Sequence, residues 1–239
     1  MPPAGRVLRD DFAAVLAAQP WDVALLQETP WHWLRPLAEA AGASGASALT
    51  SRNFGAIVRR PLAERVPDAV KSNEGGSNQL LVRGGWRIRE ARRLTLTIWP
   101  ERRRLIWARL EHPAGGVLSV ANLHATADDR PAAIADVVRA ARAACSWSAE
   151  LPLVFGGDFN LRMSETPGAY DGLRDELGLA GVRPGRAIDQ LLVRGLEATS
   201  SPQPLNRELR TRDALVLSDH DPVVATYELR SPATTTRGD

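Results

Sequence analysis

Short apolar runs that stop abruptly at charged or amide residues recur along the chain. In residues 21–29 (WDVALLQET) four apolar positions, 23–26, run together at strand length and end at Gln27 and Glu28, which predicts a buried strand with a carboxylate at its tip. Ahead of it, Asp10 and Asp11 open a segment with Phe12, Val15 and Leu16 at helical spacing, so a short helix is expected over 10–19. Residues 31–42 (WHWLRPLAEAAG) read as a second helix closing at Gly42. The segments ASALT, FGAIVRR, NQLLVRG, ARRLTLTIW and RRLIWARLEH then predict successive short strands separated by turn residues, and VLSVANLH, residues 117–124, adds another with a polar exit. Over 131–147, Ile134, Val137, Val138, Ala141 and Cys145 share one side of a helix that Asp129 is placed to cap. LPLVFGGDFN repeats the buried run followed by an acid. AIDQLLV and DPVVATYEL complete the strands, and SPATTTRGD is expected to be a frayed tail.

The pattern shows no internal repeat and no linker, so residues 1–230 are expected to form one domain. With 44% hydrophobic and 24% charged residues the chain has the balance of a folded globular protein. Its apolar runs fall well short of the roughly 18 residues a membrane span needs, and no signal segment opens the sequence, so a cytoplasmic monomer is expected. The single cysteine, Cys145, excludes an internal disulfide and a thiolate zinc cluster. Any metal would have to be held by oxygen and imidazole. Net charge is only +2, but arginine supplies all basic residues except Lys71. Clusters at Arg87, Arg89, Arg92 and Arg93 and at Arg102, Arg103 and Arg104 suit either a solvated hairpin face or contact with a polyanion.

The chemistry gathers at or just beyond the polar ends of apolar strands: Glu28, Asn122 with His124, Asp158 with Asn160, Asp189, and Asp219 with His220. A single acid or imidazole at such a place is ordinarily a turn or cap residue. Five placements of the same kind are not explained by folding needs, and loops held by a rigid sheet are where function concentrates. Carboxylates and amides without thiolates suit a hard divalent ion such as Mg²⁺, with Mn²⁺ as a substitute. Two histidines beside such an ion can hydrogen-bond a phosphate and move protons near neutral pH. This combination points to phosphoester hydrolysis.

The ordered set LLQE at 25–28, NLH at 122–124, GDFN at 157–160, IDQLL at 188–192 and SDHDPV at 218–223 resembles the endonuclease/exonuclease/phosphatase superfamily, the deoxyribonuclease-like fold, over residues 10–229. The resemblance implies a four-layer α/β/β/α sandwich, helices outside two mixed β sheets, with the site at one rim. It implies Glu28 as metal ligand with Asp219 assisting, and Asp158 and Asn160 orienting or activating water and holding the phosphate. Asp189 would bond His220 and fix its tautomer, while His220 and His124 contact phosphoryl oxygens. Which imidazole is acid and which is base stays open. Asn122 is a secondary candidate for substrate contact, and Asp221 is expected to cap the turn into the last strand. His32 and His112 match no motif and are expected at the surface. Trp31 and Trp33 suit packing of a helix on the sheet, or lining of a cleft.

One departure stands out. The family pattern opens with a strand ending in asparagine near the metal, where this chain has MPPAGRVLR; the sequence is therefore expected to be shortened at its N-terminus. NLH resembles the histidine-bearing branch rather than the abasic-site nucleases, which leaves small phosphoesters, phospholipid headgroups and nucleic acid as substrates. A noncatalytic member that binds a phosphorylated ligand or a protein is the competing reading.

Overall fold

Because strands carry apolar side chains on alternate faces while helices carry one apolar stripe, the segments above need layers to bury them. A computed structural model describes residues 8–50, 76–183 and 185–229. The readings of FGAIVRR as a strand and of the two chain ends lie outside these residues.

The elements run α1 (Arg9–Ala18), β1 (Val23–Pro30), a 3-10 turn (Trp31–Trp33), α2 (Leu34–Ala40), β2 (Ser44–Leu49), β3 (Gly76–Val82), β4 (Arg87–Thr97), β5 (Arg103–Glu111) and β6 (Val117–His124). There follow α3 (Arg130–Ser148), β7 (Leu153–Asp158), α4 (Pro167–Leu177), β8 (Asp189–Arg194), β9 (Glu197–Pro204), β10 (Thr211–Arg212), β11 (Leu215–Val216) and β12 (Val223–Glu228). Asp129 caps α3 as expected, accepting from the Ala132 amide at 3.0 Å, with Pro131 in the first turn where a missing N–H costs nothing.

The five-stranded sheet β4-β5-β6-β7-β8 is mixed, its one parallel pairing being β6 with β7. The facing layer comes as two antiparallel pieces, β1-β3-β2 and β12-β9. Three apolar clusters mark the interfaces. Leu105, Trp107, Leu123 and Phe155 face α3 and α4 residues such as Val137, Ala141, Tyr170 and Leu173. Leu80, Val82, Ala108, Leu110 and Val120 fill the space between the sheets. Leu37, Ala38 and Leu81 join Phe12, Leu16 and Trp33 on the other outer face. Helix, sheet, sheet, helix is thus the order of layers, as the family resemblance implied. Cys145 is core, and Trp33 packs against Phe12 at 6.1 Å between ring centres, so its indole serves helix packing.

Some elements differ from expectation. β1 is only half buried and continues to Pro30 through a bulge between Leu26 and Thr29. β12 alternates between half-buried and exposed positions instead of forming a buried run, because among the described residues it pairs with β9 alone. Among the described residues no strand precedes α1, and β1 and β12 each end their sheet. Two anchors fix the loops at the functional rim. Buried Asp136 on α3 accepts from Thr97 (2.8 Å) just before the β4–β5 turn, and from the backbone and hydroxyl of Thr126 (3.0 and 2.6 Å) just after His124.

Candidate active site

Register in the five-stranded sheet brings the acids and imidazole together. His124 on β6 lies opposite Asp158 on β7, and Asp158 lies opposite Asp189 on β8, so the three occupy one cross-strand row, at the exits of β6 and β7 and the start of antiparallel β8. In a sheet such neighbours stand about 5 Å apart on the same face. His124 Nε2 is 3.7 Å from Asp158 Oδ2, and His220 Nδ1 reaches in from the loop before β12 to 3.6 Å from Asp158 Oδ2 and 3.4 Å from Asp189 Oδ2. Donor atoms of Asp158, Asp189 and His220 all lie within 4.8 Å of one another, a group able to hold a metal ion.

Glu28 arrives from the other layer. The bulge in β1 puts its backbone at φ 54°, left-handed for a residue with a side chain, and turns the carboxylate out of the strand toward His124 Nδ1 at 3.8 Å. A bulge leaves carbonyls without ladder donors, and here side-chain donors take the place of the missing amides. Asn122 Nδ2 donates to Leu26 O (2.9 Å) and Gln79 O (2.8 Å) while its Oδ1 accepts from Gln27 (2.7 Å). Ser77 Oγ donates to Thr29 O, and Gln79 Nε2 to Pro30 O. Asn122 is fully buried in this seam. Its expected contact with substrate is not what its bonds show; it ties the two sheets and so holds Glu28 in place.

Asn160 also has a left-handed backbone, φ 50°. Its N–H donates to Asp158 Oδ1 at 2.8 Å and its side-chain amide donates to Ala125 O at 3.1 Å. Among the described residues six non-glycine positions have positive φ, and two of them are the candidate site residues Glu28 and Asn160. Asp219 lies close enough for its charge to act on both Glu28 and Asp158. Asp221 does not cap a turn as expected. Its carboxylate pairs with nearly buried Arg210, whose other arm donates to Ser218 O at 2.9 Å, so one guanidinium clamps both ends of the loop that presents Asp219 and His220. His112 sits at the far end of the β5–β6 hairpin and His32 in the turn after β1.

Burial and neighbouring charges together set the electrostatics. Partial burial raises the Glu28 carboxyl, Arg103 pulls it down, and Glu101, Asp158 and Asp219 push it up again. Because the Glu28 side chain is 77% exposed by area, burial acts weakly there, and the neighbouring acids are the sounder cause. Burial raises Asp158, opposed by the Asn160 amide, His220 and Arg103. Burial, then Arg103 and His220, hold His124 down to about 3. It is neutral at physiological pH, so its contact with Glu28 is not an ion pair. Asp189 is pushed up to about 6, by burial first and Asp158 next.

A pH dependence follows from Asp189. Its folded value exceeds its ordinary 3.8, so its contribution to stability is complete below about 4 and is lost as pH rises through about 6. Without divalent ions, thermal stability should decline between pH 5 and 7 by on the order of 1 kcal/mol after solvent screening, about 3 °C for a chain of this size. Mg²⁺ should restore it more at pH 7 than at pH 5, and Asp189→Asn should flatten the slope. A slope unchanged in that variant would assign the effect elsewhere.

The sequence profile of the Endonuclease/Exonuclease/phosphatase family matches residues 3–220. The chain belongs to that family. Solved structures agree on the fold. The human nocturnin catalytic domain with bound sulfate superimposes with a TM-score of 0.70 at 18% identity, covering 92% of this chain and 86% of that one. A mannosyl-6-phosphatase from Bacteroides thetaiotaomicron gives 0.64 at 16% identity, covering 92% and 91%. The D. rerio TDP2 complexed with a single-stranded DNA product gives 0.61 at 16% identity, covering 94% of each chain. No curated protein matches the chain in sequence. Superfamily membership makes the rim described above the place to look for phosphoester chemistry. No helix among the described residues is long and apolar enough to cross a membrane.

Proposed function

We propose that this chain is a divalent-metal-dependent phosphoester hydrolase. The observation that carries the reading is the unbroken series Glu28, His124, Asp158, His220, Asp189, drawn from both sheet layers and the last loop, with successive side chains 3.4 to 3.8 Å apart. Five segments distant in sequence would not converge so for stability, since crowded acids destabilise a metal-free fold.

The donor set fits a hard divalent ion. Glu28, Asp158, Asp189 and Asp219 supply oxygens only, and the upward pull on three of these carboxyls is what a cation would relieve. Glu28 and Asp219 would hold Mg²⁺, or Mn²⁺ in its place. Bound there, the ion supplies positive charge to the phosphoryl oxygens. Asp158, aligned by the Asn160 N–H, orients the attacking water. His220, 40% exposed and backed by Asp189, faces the phosphoryl group and moves a proton. His124, neutral and buried, offers a hydrogen bond rather than a charge. The Asp158–Asp189–His220 group contains a nitrogen donor, which suits Mn²⁺ or proton relay better than Mg²⁺.

Nucleic acid, sugar phosphates and other phosphoesters all fit this machinery, and the reading includes a cytoplasmic location. The test is purified protein with Mg²⁺ or Mn²⁺ against bis-p-nitrophenyl phosphate, plasmid DNA, RNA and a set of phosphomonoesters, with EDTA and His220→Ala as controls. Hydrolysis that EDTA and the substitution both abolish is expected. Activity indifferent to EDTA would end the metal reading, and inertness toward every substrate the hydrolase reading.

A further inference from the structure

The series of ionisable groups has a neighbour the motifs do not contain. Arg103 opens β5, and its side chain is only 6% exposed. Leu105, two residues further on, pairs with Leu123 beside His124, which puts the start of β5 at the same rim, and the charge of Arg103 acts on Glu28, His124 and Asp158 alike. Its Nε is buried without an acceptor, and one Nη is 2.8 Å from Glu101 on the turn between β4 and β5.

Comparison with half-buried Arg83 and buried Arg210 shows what is different. Arg83 donates to three backbone carbonyls, of Trp21, Ala41 and Gln19. Arg210 is fixed to Ser218 O and Asp221. Each ties chain segments together through a carbonyl. Among the described residues Arg103 has no such carbonyl: its acceptor is a carboxylate 46% exposed, on a turn that holds Ile98 and Trp99 out at 75% and 71% exposure. Such a carboxylate can rotate into water at little cost.

We propose that Arg103 is an anion anchor of this pocket, aimed at a phosphoryl oxygen, and that Glu101 occupies its place until phosphate displaces it. The inference rests on the phosphoester reading of the same pocket and adds to it an internal competitor. The exchange is favourable. A half-exposed ion pair contributes no more than about fivefold, while a charge-assisted guanidinium–phosphate contact in a water-poor pocket contributes about tenfold or more. Glu101 also adds negative charge beside Glu28, so its departure removes repulsion against the arriving anion.

Opposite signs follow for the two ends of one ion pair. Inorganic phosphate is titrated calorimetrically into the full chain with Mg²⁺ present. Arg103→Gln should weaken phosphate binding about tenfold, Arg103→Lys less. Glu101→Gln should tighten it about threefold, and the double variant should match Arg103→Gln alone. A structural brace predicts otherwise: both single variants would lose thermal stability alike and neither would gain affinity. Equal weakening by both, indifference to Arg103→Gln and Arg103→Lys, or no phosphate binding by any form would overturn the proposal. Hydrolysis of bis-p-nitrophenyl phosphate is followed in parallel. Opposite shifts in phosphate affinity without any hydrolysis leave the anchor standing and remove the hydrolase reading; hydrolysis with affinity indifferent to both residues does the reverse.

Discussion

Asp158→Asn should lower hydrolysis about 10³-fold or more while leaving thermal stability unchanged or slightly raised. The carboxylate stands where every line of the site crosses. It faces His124 and His220 at 3.7 and 3.6 Å and lies opposite Asp189 in register. An amide of the same shape keeps the acceptor for the Asn160 N–H, now at 2.8 Å, so the local turn should survive. What it removes is charge. A carboxyl raised mainly by burial is costly to the fold, and its neutral isostere relieves that cost, the trade of stability against activity expected at a functional site. Turnover with bis-p-nitrophenyl phosphate and a thermal melt of the same sample provide the check. A loss of activity below tenfold would remove Asp158 from the chemistry. A large fall in melting temperature would make it a structural residue instead.

Why Asp158 was legible and Arg103 was not is a matter of pattern. Glu28, His124, Asp158 and Asp189 each interrupt or border an apolar run, and strand periodicity makes such an interruption visible without any structure. Arg103 begins a strand among 29 arginines, between Arg102 and Arg104, and nothing in its neighbours distinguishes a buried guanidinium from a solvated one. Arg210 is hidden in the same way, its role resting on an ion pair with Asp221 and a carbonyl bond that only the folded loop creates. Asn122 had the opposite fate. Its place in NLH drew attention, but its amide is consumed by the bulge in β1, a feature of backbone register that no side-chain pattern reports.

The same limit explains the missed elements. Helix α4 buries only Tyr170 and Leu173 and contains Gly168 and Gly172, so its apolar stripe is too sparse to be seen. β9 is exposed along seven of its eight positions, with no alternation. It exists through pairing with β12 alone. Elements with a dense apolar run or stripe were readable, and those whose apolar positions are sparse or absent were not.

Gly157→Ala should cost on the order of 4 kcal/mol and remove activity with it, because this position has no room for even a methyl group. Gly157 lies opposite Leu123 in the parallel pairing of β6 with β7, and a Cβ built on it would fall 1.9 Å from Leu123 O, with backbone at φ 130°. No side chain can move aside, since the obstacle is the main chain of the neighbouring strand. Relief requires β7 to draw back from β6, which separates Asp158 from His124 in the adjacent register position. The expected melting temperature falls by about 10 °C, and the phosphate affinity and hydrolysis of any folded fraction fall together. Gly115→Ala separates the two contributions. It too has a left-handed backbone, φ 90°, but nothing within 4 Å of the added carbon, so it should cost only about 1 kcal/mol and leave turnover intact. Equal losses in the two variants would show that backbone conformation alone governs both. A stable, active Gly157→Ala protein would mean that β6 and β7 do not approach so closely, and the cross-strand row that unites His124, Asp158 and Asp189 would lose its basis.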